Sequence, residues 1–543
     1  MIWLIQDFDL LSVLLRALTL SFEALTIGGV FFLLLIARPS AAEDAARRAA
    51  VRLCAWASFA LAVAQTLSTF ETIMVLMSGS GLSFHDVVTA SFFLSGAAIP
   101  VAALLLFLLL RNGVIRYSGP LLTLIVLAGS VALSHAASRL DHRLVLVILT
   151  AAHHLGTAAW IGAMPFLLVT LRGSQQGQGL HALVRRFSNM TLVSVAVLVV
   201  AGIGMAYFYV GSWNGLYGTS YGLMLTTKIY LFLLMVTLGA GNFFLLRRTR
   251  GDAQPVLMRL RRFSEAEIGL GFTVILVAAS LTSQPPAADM QHDTPSAHEI
   301  AQRMAWKLPS MTTPRFAQLS KRASLQDSLE SSSYSGGSAN DAMDQVWSEY
   351  NHHWAGVIVF AAGLFALCAN FGRRRGKTSN WFGNWPLLFI GLAIFIALRA
   401  DPDAWPLGPR ALWGSFAEPE VLEHRIFAVL ITAFAVFEWA VETDRVANMR
   451  AAMVFPALCA LGGALLMTHS HSLGVPKEET LAELSHTLIA LGGATAGWSR
   501  WLQLRLPESP GSDQDGKIKS ALNWVWPVCL MLVGLVLLNY RES

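Results

Sequence analysis

Fourteen mostly apolar runs, most of them close to the ~20 residues that cross the hydrocarbon of a bilayer, set the terms for this chain. They fall near 10–37, 52–78, 87–110, 118–137, 143–171, 188–210, 221–246 and 264–283, and after a polar gap near 352–371, 385–398, 426–441, 452–468, 480–499 and 521–540. The runs 385–398 and 426–441 are short and are expected to borrow flanking residues or to tilt. All are rich in Leu and Ala and lack the two-residue alternation of a membrane barrel. The expected fold class is therefore an all-α polytopic membrane protein of about 14 transmembrane helices in an 8 + 6 arrangement. Composition agrees: 55% of the chain is hydrophobic and 13% charged, against roughly 25% charged in soluble domains. The first run has no basic flank and no A-x-A-like exit, so it is read as a retained helix and not a signal peptide.

Orientation follows from Lys and Arg, which stay cytoplasmic in short loops. The loops after odd-numbered runs hold 25 of them, and those on the other side hold 7. That asymmetry places both termini on the outer, periplasmic side of a bacterial inner membrane. The expected domains are an eight-helix part over 1–283, a loosely structured outer linker over 284–350 with a helix near 296–306, and a six-helix part over 351–543. The linker is too polar for a core and contains the run Ser331-Ser332-Ser333-Tyr334-Ser335-Gly336-Gly337-Ser338. Cys54, Cys368, Cys459 and Cys529 lie in or at the ends of runs with no C-x-x-C spacing, which argues against disulfides and thiolate clusters. The small basic excess, 39 against 34 acidic residues, gives no reason to expect nucleic acid as a partner.

On this topology thirteen of the fourteen histidines lie outside or in the outer half of a run, and only His181 is cytoplasmic. Any one of them alone reads as an interfacial residue with no task. The set favours metal or cofactor ligation, because imidazole suits copper, zinc and iron. In the second half His352, His353, His424, His469, His471 and His486 share one membrane depth. Met467 offers a soft thioether suited to Cu(I). Glu349/His352 and Glu483/His486 form Glu-x-x-His pairs, each placing carboxylate and imidazole on one helix face as in dimetal carboxylate bundles. Glu423 adjoins His424. The same residues also suit helix ends near water.

In the first half His135 ends one outward run, and His153 and His154 lie inside the next. Adjacent helix positions point about 100° apart, so at most one of that pair faces a given site. Glu23, Glu71, Lys228 and Arg16 are ionisable groups inside apolar runs; such groups are functional hypotheses by default, although pairing among themselves is the simpler reading. The order Ser134-His135-Ala136-Ala137, His153-His154-Leu155-Gly156-Thr157-Ala158-Ala159-Trp160-Ile161-Gly162, Arg186-Phe187-Ser188, Ala201-Gly202-Ile203-Gly204, Thr219-Ser220-Tyr221-Gly222, Lys228 and Gly239-Ala240-Gly241-Asn242 resembles the pattern of the copper resistance protein D (CopD) family over roughly 10–285. Ser134 stands where that family usually has Gly, and Phe243 where a basic residue often follows the Asn. The resemblance implies that His135 and His153 are copper-linked and that Lys228 and Asn242 are structural or pathway residues. Residues 350–543 resemble the C-terminal extension of long members.

The leading expectation is an inner-membrane protein that takes copper at its periplasmic face through His and Met and moves it across the bilayer or delivers it, with a periplasmic copper chaperone as a partner. No Walker A signature or Asp-Lys-Thr-Gly-like segment is present, so ATP-driven pumping by this chain alone is not expected; a transport or binding protein is the leading reading, with an enzyme left open. Two alternatives stay open. One is a membrane redox protein holding haem b between facing histidines such as His353 and His486, or a di-iron or other dinuclear site. The other is an assembly scaffold for copper enzymes that uses 284–350 as a docking tail.

Overall fold

The computed structural model describes residues 8–37, 44–79, 82–112, 118–173, 178–248, 253–290, 294–313, 339–374, 381–467 (except 403, 410 and 418), 476–506 and 513–541. Among these residues every long element is a helix and there is no strand. Backbone N–H and C=O groups in lipid must be satisfied within the chain, and helices do this segment by segment. Among the described residues twelve helices are long and apolar enough to cross a membrane, which makes this a helical, multi-pass membrane protein. Two of the fourteen expected runs fall short of that description in different ways. The run at 118–137 is a helix only over Ser118–Ala132, because the chain turns at Leu133 and enters a separate one-turn helix with Ser134 extended. The run at 480–499 lies in a 30-residue helix, Pro476–Arg505, in which polar and small residues such as Ser485, His486, Thr487, Gly492 and Gly493 keep the apolarity below that of a clear span.

The chain divides into two compact units, one of 1–213 with 228–289 and the other of 214–227 with 290–543. In the first, α1 (Phe8–Phe31), prolonged by a π-turn over Phe32–Ile36, packs against α2 (Asp44–Gly79). The short α3 (Phe84–Thr89) is started by a Ser83/Asp86 capping box, and α4 (Ser91–Arg111), α5 (Ser118–Ala132), α6 (His135–Ser138) and α7 (Arg143–Thr157) follow. A second π-turn, Ala158–Gly162, then leads into α8 (Met164–Gly173) and α9 (Gln178–Val210); after α10 (Trp213–Tyr217) and the start of α11 (Ser220–Arg248), whose residues 214–227 belong to the other unit, the rest of α11 and α12 (Ala253–Leu281) complete it. α1 touches α2, α5, α12 and the second π-turn, and so forms the middle of this unit. The contact with the π-turn depends on two glycines. A Cβ on Gly28 would overlap the Ala158 carbonyl oxygen, and one on Gly162 would overlap the Ala24 carbonyl oxygen. Only hydrogen at these positions lets the two backbones meet, as small residues do at membrane helix interfaces.

In the second unit α13 (Ala297–Met304) has its first turn closed by a Ser296/Glu299 capping box. Glu299 also meets Lys477 at 2.5 Å, and the hydrogen bonds from Lys477 and Ser296 hold its carboxyl down at about 2. α14 (Ala339–Arg374) begins well before the apolar run expected at 352. α15 (Leu387–Arg399), α16 (Pro419–Glu442), the short α17 (Met449–Ala452), α18 (Val454–Leu466), α19 (Pro476–Arg505) and α20 (Asp513–Leu538) complete the unit. Six of these make a closed ring in the order α14, α15, α16, α18, α19, α20 and back to α14. Glycine again permits the tightest seam: a Cβ on Gly534 would lie 2.5 Å from the Phe360 backbone nitrogen, and one on Gly356 2.7 Å from that of Leu538. At one end an aromatic core of Trp385, Phe389, Phe434, Phe455 and Trp526 fills the ring. Beside it Arg500 donates to Glu438 at 2.6 Å and Glu442 at 2.8 Å, all three buried. Burying a charge in apolar surroundings is costly unless it is paired in this way.

Replacing Gly162 by Val is expected to force α1 off the π-turn and to cost about 1–3 kcal/mol or more, the range for overpacking a well-filled core. Thermal unfolding in detergent checks this; a variant as stable as the parent chain would show that the two backbones need not touch.

Candidate functional site

The polar groups inside the first unit meet where α1, α5 and α7 pack. His154 Nδ1 donates to Glu23 Oε1 at 2.9 Å, and the Ser130 hydroxyl donates to Glu23 Oε2 at 2.6 Å. Both carboxylate oxygens are thus engaged, and the Glu23 side chain is only 7% exposed. The bond to Glu23 places the His154 proton on Nδ1, so Nε2 is the second ring site that can gain or lose one. α1 can bring Glu23 to this depth because its glycine contact with the π-turn lies only a few residues further along both helices.

His153 turns to a different neighbour. Its Nε2 accepts from Lys228 Nζ on α11 at 3.4 Å, a long and weak bond. That assigns the ring proton to Nδ1, which is buried with no hydrogen-bond partner among the described residues. A buried N–H left unmade costs roughly 1–3 kcal/mol, so this side of His153 is suited to a ligand. Adjacent histidines on one helix therefore serve two sites, one with a lysine and one with a carboxylate.

His135 is exposed on α6 and donates from Nε2 to the Thr282 carbonyl at 2.8 Å, leaving Nδ1 as the unprotonated nitrogen. It begins a one-turn helix and does not end the long one before it. Next to it Arg139 pairs with Asp289 at 2.7 Å and lies over the Tyr209 ring. Asn242 on α11 donates to the buried Glu267 on α12 at 2.6 Å, a partner that sequence reasoning did not single out. Glu71 is 4% exposed, and its Oε1 has no hydrogen-bond partner among the described residues.

In the second unit three of the six expected histidines gather. The His352 ring centroid lies 6.3 Å from that of His424 and 6.0 Å from that of His486, and Tyr540 stacks on His352 at 4.0 Å. His352 Nδ1 donates to the Ser348 carbonyl at 2.8 Å and His486 Nδ1 to that of Ala482 at 3.2 Å. His353 has another role. It is buried, its Nδ1 accepts from the Ser310 N–H at 3.0 Å, and its Nε2 donates to the Tyr540 carbonyl at 3.0 Å. It therefore fastens α14 to the segment before it and to the chain end. Met467 is buried just beyond α18 and Glu483 is buried one turn before His486. His469 and His471 lie outside the described residues. Among the described residues no three His, Cys, Asp or Glu side chains stand close enough to hold a metal ion.

Residues 181–281, which run from α9 to the end of α12, match the family model described as copper resistance protein D. The chain carries a CopD-family segment. The copper transport protein CutJ of Bacillus subtilis (strain 168) is 30% identical over 207 residues, or 35% of this chain and 37% of that protein. The chain thus spans little more than a third of the length of this curated relative. No solved structure matches it. The CopD-family segment contains Lys228, Asn242 and Glu267 but begins after His135 and His153. Those two are linked to it by geometry, through Lys228 and through the carbonyl of Thr282 just past its end.

Replacing Glu23 by Ala would leave the His154 N–H and the Ser130 hydroxyl buried without their acceptor, at an expected cost of about 3–5 kcal/mol. Ser130→Ala removes one bond and should cost about 1–3 kcal/mol. Thermal unfolding of the two variants in detergent orders them; equal stability of Glu23→Ala and the parent chain would contradict the assigned network.

Proposed function

We propose that this chain moves copper through its first unit, as cargo and not as a resident cofactor, with His153 as the intramembrane ligand and Lys228 as the group that guards it. The single observation behind this reading is the Lys228–His153 contact, which joins the CopD-family segment to the histidine on α7. An ammonium donating to Nε2 competes with a metal cation for the same lone pair, both by occupying it and by charge repulsion. Copper reaching His153 must therefore displace Lys228 or enter from the Nδ1 side after that nitrogen gives up its proton. Each route links metal movement to movement of a charge. Such a site binds weakly and exchanges readily, as cargo transfer requires.

His135, exposed on α6, would receive copper on the periplasmic side of an inner membrane, consistent with the Lys and Arg asymmetry that puts both termini there. A periplasmic copper-binding protein is the corresponding donor or acceptor. Glu23 and His154, with the Ser130 hydroxyl on the second carboxylate oxygen, form a hydrogen-bonded pair beside His153. The second-unit histidines are left out of this path because they belong to the other unit, and His469 and His471 lie outside the described residues.

The test is the copper content of cells producing the chain, read by mass spectrometry. His153→Ala and Lys228→Met are each expected to change copper accumulation several-fold relative to the parent, whereas His85→Ala on α3 should match it. Parent-like copper content in both His153→Ala and Lys228→Met, at equal protein level, would overturn the reading.

A further inference from the structure

Where α8 ends and α12 enters the membrane, three arginines meet one carboxylate. Arg172 Nη2, on the last turn of α8, donates to Glu265 Oε1 at 3.3 Å, and Arg262 Nη1 donates to the same oxygen at 3.1 Å. Arg261 donates from Nη2 to the carbonyl of Leu171, next to Arg172. The charges that act on Arg261 are those of Arg262 and Arg172, both positive. Glu265 is buried, whereas the side chains of Arg172 and Arg262 are 59% and 25% exposed and can meet a ligand. Three guanidiniums against one carboxylate leave an excess of two positive charges. The copper reading gives this cluster no task.

Orientation in a membrane calls for Lys and Arg on one side, but it does not require them to converge. Like charges held together repel one another unless an anion answers them. Guanidinium suits phosphate, whose oxygens match its planar fork of N–H groups. The depth of the cluster says which phosphate. The apolar span Arg143–Arg172 ends at Arg172, and the span Leu257–Leu281 begins one turn before Arg261. That is the level of lipid headgroups, where basic pockets between helices hold anionic lipids. Apolar faces lead away from it along both helices. Pro165 and Val169 share a face of α8 with Arg172, Ile268 and Phe272 share a face of α12 with Glu265, and all four are half-buried. Arg172 meets Glu265, so the two faces start at one point and descend together.

From this juxtaposition we infer that the seam between α8 and α12 binds an anionic phospholipid with two phosphates, of the diphosphatidylglycerol class. Its two phosphates carry one negative charge each and match the excess on the arginines. Its acyl chains lie along the faces of Pro165 and Val169 and of Ile268 and Phe272. A lipid with one phosphate leaves one positive charge unanswered, and a free diphosphate leaves the apolar faces bare. The inference needs helices that span a membrane but not the copper reading, and either can fail without the other.

The experiment is native mass spectrometry of the full-length detergent-purified chain, titrated with diphosphatidylglycerol, phosphatidylglycerol, phosphatidylcholine or inorganic pyrophosphate. One diphosphatidylglycerol per chain is expected to bind saturably, at least tenfold tighter than any of the other three. Arg172→Gln and Arg262→Gln should each weaken it at least tenfold, whereas Arg111→Gln at the end of α4 should bind it like the parent. Thermal unfolding in detergent confirms that each variant is folded. The two test substitutions lie on different helices, so one serves if the other fails to fold. No saturable binding of diphosphatidylglycerol, a preference for it under tenfold, or parent-like affinity in a folded Arg172→Gln or Arg262→Gln variant would each overturn the assignment. Pyrophosphate binding as tightly as the lipid would mark a free-anion site and overturn it too.

Discussion

The close backbone contact between α1 and the π-turn after α7 governs the first unit. Gly28 and Gly162 let carbonyl oxygens of Ala158 and Ala24 approach where any Cβ would intrude. In lipid there is no hydrophobic force between helices, so such close packing, with its dispersion and polar contacts, is what holds them. The consequence for chemistry is depth. With the contact made, Glu23 on α1 stands level with His154 on α7 and Ser130 on α5, and both carboxylate oxygens are satisfied. Without it, an acidic side chain would face an apolar interior alone, at a cost that marginal stability does not absorb.

The same logic explains where two other buried charged groups sit. Arg500 in the second unit is matched by two glutamates, and Asn242 answers Glu267. Lys228 is different, because its partner His153 is uncharged when it accepts at Nε2 and the contact is long. A weakly held lysine beside a histidine whose second nitrogen has no partner among the described residues is a poor way to build stability. It is a reasonable way to build a site that a cation can enter and leave.

Much of this organisation was legible in the sequence, for a simple physical reason. Spanning lipid demands length and apolarity, and both can be read directly. What hydropathy cannot show is where the backbone turns. Ser134 breaks the fourth run and gives His135 a helix of its own, although the residues around it remain apolar. Nor does it register amphipathic extensions, so α14 starts at Ala339 and not near 352. The 100° between adjacent helix positions correctly separated His153 from His154, but the sequence favoured His153 alone. Pairing His154 with Glu23 takes knowledge of which helices touch, and those residues are 131 apart in the chain. Depth likewise grouped the second-half histidines, while facing direction divided them: His352, His424 and His486 turn toward one another, and His353 binds backbone. A signal for the glycine contact was present in Gly28 and Gly162, but nothing local identified them as partners.

The central proposal is that this chain, of which residues 181–281 match the copper resistance protein D family model, moves copper across a membrane. It is tested most directly by reconstituting the full-length protein in sealed lipid vesicles and following radioactive copper across the bilayer, with protein-free vesicles alongside. The account predicts saturable, protein-dependent flux that His153→Ala abolishes. Flux no greater than in protein-free vesicles, for either oxidation state of copper and either direction of the gradient, would contradict it.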